Sequence, residues 1–153
     1  TPDNLWNIIF WRLTLISLGI ISLFTWIIAF EILLPKYRKT ILSLFIVQFL
    51  AYSVYVILIN QQFKIAIYNY LPPTILLLIA FCSLFIQKKE KVVGLGVLGL
   101  LLTFIGAWIQ QAQIYIHPIY FNHNALYHLI QAIALILIFI TFRSIISNKK
   151  VKR

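Results

Sequence analysis

Five long apolar runs, each broken by a short polar or basic stretch, constrain this chain more than any other feature. They cover approximately residues 5–34, 40–59, 73–86, 92–109 and 125–146. A helix rises about 1.5 Å per residue, so about 20 apolar residues cross a hydrocarbon core roughly 30 Å thick. Of the 153 residues, 62% are hydrophobic and 10% charged, too few polar groups to cover a water-soluble fold of this size. Mean hydropathy is +0.96. The runs lack the alternation of strands, and backbone exposed to lipid must satisfy its own hydrogen bonds. The expectation is all-α: a polytopic membrane bundle of five transmembrane helices, with residues 1–153 as a single bundle.

The third run is short, and "NQQFKIAIYNYLPP" before it reads as a polar, aromatic connection ending in two prolines. In the fourth run Gly99, Thr103 and Gly106 recur at helical spacing. They predict a small-residue face that lets a neighbouring helix approach closely.

Charge placement sets the expected direction. The formal net charge is +10. If five spans alternate, one side collects Lys36, Arg38, Lys39, Lys88, Lys89, Lys91, Arg143, Lys149, Lys150, Lys152 and Arg153, and the other keeps Arg12 and Lys64. Loops rich in Lys and Arg stay cytoplasmic, which predicts an outside N-terminus and an inside C-terminus. The same clustering argues against nucleic acid as a partner. The expected partners are the bilayer and other membrane subunits.

Ionisable groups inside a span are expensive. Glu31 and Arg143 fall at similar depth near the inner ends of the first and fifth runs, and a structural ion pair is expected between them or between Glu31 and the nearby "KYRK" loop. Arg12 reads as a snorkelling side chain at the outer surface. The acids are Asp3, Glu31 and Glu90, an inventory too small for paired-carboxylate chemistry. Cys82 lies inside an apolar run and reads as a buried, inert thiol.

The polar outer segment around "FNHNALYHLIQ" is the candidate site. His117, His123 and His128 lie there with Gln110, Gln111, Gln113, Asn122, Asn124 and Gln131. Residues five apart on one helix diverge by about 140°. His123 and His128 therefore converge only if His123 precedes the helix, which predicts Asn124 as the N-cap. Asn124, His128 and Gln131 then share a face. Zinc sites need three or four ligands, with His117 available as a third. Three readings stay open: a metal site, a hydrogen-bonded plug at the membrane surface, and a single axial histidine holding a pigment or haem.

The segments "LWNIIFWRLTLISLGI" and "GAWIQQAQIYIHPIYFNHNALYHLIQAIAL" resemble an uncharacterised bacterial branch of the superfamily of alkaline ceramidases and adiponectin-receptor-like proteins. The resemblance covers the chain as the last five of seven spans, and its specific part is residues 117–134. It implies a zinc-dependent lipid amidase in which His123 and His128 are the terminal-span ligand pair. Here that spacing is five rather than four, and Ala125 stands where the branch often has an acid. It also implies a bacterial inner membrane or thylakoid. The residue inventory points instead to a non-enzymatic subunit of a larger membrane complex that holds a lipid, pigment or haem, and the bacterial source that the resemblance implies suggests a photosynthetic or respiratory complex. The lipid amidase, or a truncated remnant of one, is the alternative.

Overall fold

The computed structural model describes residues 5–117 and 120–151, and of residues 38 and 148–151 the backbone alone. Asp3, Pro118 and the basic residues Lys152 and Arg153 lie outside the described residues, as do the side chains of Arg38, Lys149 and Lys150. The described chain is helical: α1 Leu5–Leu33, a one-turn 3-10 helix Pro35–Tyr37, α2 Arg38–Leu58, α3 Phe63–Lys88, α4 Lys91–Gln111 and α5 His123–Val151. All five α-helices contain a segment long and apolar enough to cross a membrane. The chain is an all-α integral membrane protein, with five such helices among the described residues. It divides into two compact units, residues 1–80 and 81–153, with the boundary inside α3.

The third span differs from expectation. α3 begins at Phe63, ten residues before the apolar run, and carries Pro72 and Pro73 in its interior. Most of "NQQFKIAIYNYLPP" is thus helix rather than connection. At about 1.5 Å per residue the 26-residue helix spans about 39 Å, enough for the hydrocarbon core. Pro73 has no N–H and leaves the carbonyl of Asn69 without its helical donor. In the first unit Ser22 supplies the replacement: its hydroxyl donates to the Asn69 carbonyl at 2.8 Å, and the residue is fully buried. A neighbouring helix that re-satisfies the freed group is what lets proline stay inside a membrane helix.

The rest of the first unit is built around that junction. Leu15, Tyr52, Val56 and Ala66 form its core, with Leu18, Ile57 and Ile65 against them. The Tyr52 hydroxyl donates to the Leu15 carbonyl at 3.0 Å. Its ring crosses Gly19 so closely that a Cβ there would lie 2.5 Å from Tyr52 Cε1. Gln48 on α2 donates from its amide to Asn69 Oδ1. Further along, Trp26 stacks on Phe45 with centroids 4.6 Å apart and planes 9° from parallel.

In the second unit α4 and α5 run antiparallel. The small-residue face of α4 does the work its spacing predicts: Gly99, Thr103 and Gly106 are all buried. A Cβ on Gly99 would lie 2.8 Å from the Ala134 carbonyl oxygen, so the two backbones are in near contact. Thr141 is fully buried and places its hydroxyl 2.7 Å from the Val92 carbonyl. Phe81 packs on Phe142 with centroids 5.3 Å apart.

Candidate functional site

Two regions stand out: the connection between α4 and α5 in the second unit and the proline junction of the first. The connection begins where α4 ends. Gln113 takes a left-handed backbone, φ 52°. The chain then runs to an antiparallel bridge between His117 and Phe121. The His117 and Phe121 backbones bond reciprocally at 3.1 Å. His117 Nδ1 accepts the Tyr120 N–H at 3.1 Å, and the two rings lie 4.9 Å apart. His117 is therefore part of the turn that reverses the chain.

That turn moves the helix start. Asn122, not Asn124, caps α5: its Oδ1 accepts the Ala125 N–H at 3.1 Å, and its carbonyl accepts from Leu126 at 3.0 Å. The bridge brings Asn122 to the cap position first, and His123 becomes the first helical residue. His123 and His128 now both lie on the helix, about 140° apart by its twist. His123 is half-buried and His128 exposed. The convergence expected of them depended on His123 preceding the helix and is lost with that premise. Among the described residues no group of three or more His, Cys, Asp or Glu is placed to hold a metal.

The amides divide. Gln110 donates from Nε2 to Asn124 Oδ1, tying the end of α4 to the start of α5. Gln111 and Gln113 are exposed. The Oε1 atoms of Gln110 and Gln131 are buried, with no hydrogen-bond partner among the described residues. Glu31 is half-buried in the first unit and Arg143 exposed in the second, so the pair expected of them lies within neither unit. Arg12 is half-buried and engaged by the chain itself. With the Gln61 amide turned oxygen-first, Gln61 accepts from Arg12 Nη2 at 3.0 Å and Nε at 3.1 Å. Trp11 Nε1 donates to the Gln61 backbone carbonyl at 2.8 Å.

The proline junction was not singled out from the sequence. Its signals were present: Gln48 within an apolar run, Ser22 within another, and a Pro-Pro pair beside a third. Next to it an open groove of about 420 Å³ is lined by Trp26 and Phe30 of α1 and by Leu71, Pro72, Ile75, Leu76 and Ile79 of α3. The side chains on the wall are apolar or aromatic and none is charged, so the groove fits a hydrocarbon chain.

No curated protein and no solved structure matches the chain. Residues 1–147 match a family described as a family of unknown function, DUF6962, and the chain belongs to that family.

Proposed function

We propose that this protein is a non-enzymatic accessory subunit of a membrane complex that holds a lipid, with one acyl chain seated in the groove between α1 and α3. The groove carries the reading. It is an open, largely apolar groove with Trp26 and Phe30 on one wall, two large flat side chains suited to a flexible hydrocarbon. It lies on segments long and apolar enough to span the bilayer, where lipid tails are the surrounding solvent. A role beside other subunits is supported by α5. Its span runs His123–Ser147, and 11% of the span's most apolar window is buried within the chain, which leaves an apolar face open to lipid or to another subunit. We propose a bacterial inner membrane or thylakoid as the host membrane, on the resemblance to the ceramidase-like superfamily and the Gln- and Ile-rich composition.

The test is lipid retention. Purified in mild detergent, the chain should keep about one lipid through washing, detected by extraction and mass spectrometry. Leu71→Trp places an indole in the groove and should remove it. A washed protein that carries no lipid, or a Leu71→Trp variant that retains as much as the parent, would refute the proposal.

A further inference from the structure

Lys64 lies on the same stripe of α3 as the groove wall. At about 100° per residue, Tyr68 is about 40° from Lys64, and Leu71 and Ile75 are each about 20° from it. All four are exposed: Lys64, Tyr68 at 67%, Leu71 at 41% and Ile75 at 44%. Leu71 and Ile75 belong to the groove. The stripe therefore leads from a cation at the start of α3, along a tyrosine, into the apolar recess. From Lys64 to Ile75 the helix rises about 16.5 Å, close to the roughly 15 Å depth of one leaflet's hydrocarbon. The neighbourhood of Lys64 also resembles a membrane interface. Trp11 and Phe63 meet there with centroids 6.1 Å apart, and aromatic rings of this kind sit at headgroup level. Arg12 is half-buried with its guanidinium held by Gln61.

We infer that Lys64 is the headgroup anchor of the bound lipid, and that the lipid is an anionic phospholipid from the leaflet at the Lys64 end. Its phosphate meets the ammonium, and one acyl chain follows Tyr68 and Leu71 to Ile75. This rests on the lipid-holding reading above and adds the class of lipid and the end from which it enters. A compact ammonium on a flexible stem suits a phosphate at this boundary, because the stem lies along apolar surface while the charge stays in water. Attraction between a basic residue and an anionic lipid surface corresponds to about a fivefold preference.

The experiment uses the full chain in micelles containing equal phosphatidylglycerol and phosphatidylcholine, with retained lipid read by native mass spectrometry. The parent should retain phosphatidylglycerol over phosphatidylcholine by about fivefold. Lys64→Gln should bring the ratio to near parity while total retained lipid stays close to the parent's. Lys36→Gln, at the other end of the span, should leave the ratio unchanged. A preference that survives Lys64→Gln, or one abolished by Lys36→Gln, overturns the anchor while leaving the groove in place. A Leu71→Trp variant that retains both lipids at parental levels overturns the groove itself, which separates the two failures.

Discussion

Replacing Ser22 by Ala removes one hydroxyl from a fully buried site, and its cost should depend on a proline 51 residues away. The Ser22 hydroxyl is the side-chain donor at 2.8 Å from the Asn69 carbonyl. That carbonyl has no helical donor because its partner four residues on is Pro73. Leaving a buried acceptor unpaired costs about 1–3 kcal/mol, and hydrogen bonds between membrane helices contribute about 0.6–2 kcal/mol. We therefore expect Ser22→Ala to destabilise the protein by about 1–2 kcal/mol. Pro73→Ala restores an N–H aimed at the same carbonyl. In that background the loss of Ser22 should cost under about 0.5 kcal/mol, since the acceptor keeps a partner. The difference is a coupling energy of about 1 kcal/mol, within reach of a double-mutant cycle. Reversible unfolding in mixed micelles, followed by circular dichroism, measures all four variants. Equal costs for Ser22→Ala in both backgrounds would refute the argument. Ser22 would then stabilise by packing alone, and the freed carbonyl would owe nothing to it.

The remaining predictions concern the second unit. Gly99→Val sets a branched side chain against the Ala134 carbonyl, where even a Cβ would lie at 2.8 Å, so α4 and α5 must separate. We expect a loss of about 1–3 kcal/mol in the same micelle assay, and a loss below about 0.5 kcal/mol would show that the helices part freely. Asn122→Ala should cost about 1 kcal/mol and speed hydrogen exchange in the first turn of α5, because it removes the cap. Faster exchange of that turn in Asn124→Ala than in Asn122→Ala would return the cap to Asn124.

The number of apolar runs was readable from composition, and four of them meet the minimum length that the bilayer sets; the third is short and reaches it only because α3 begins at Phe63. The glycine face of α4 was readable for a related reason. Helical periodicity alone places Gly99, Thr103 and Gly106 together, and small side chains are what close backbone approach needs. The proline junction was not readable. "LPP" ends a helix or sits inside one according to whether a distant group answers the freed carbonyl, and Ser22 lies 47 residues from Asn69. The cap of α5 was undetermined in the same way. Asn122 and Asn124 are equally good capping residues. The choice fell to the His117–Phe121 bridge, which sets where the chain enters the helix and with it the faces on which His123 and His128 stand. The groove belongs to the tertiary structure entirely. Its walls are ordinary apolar residues from two helices, and only the packing of α1 against α3 leaves a recess between them.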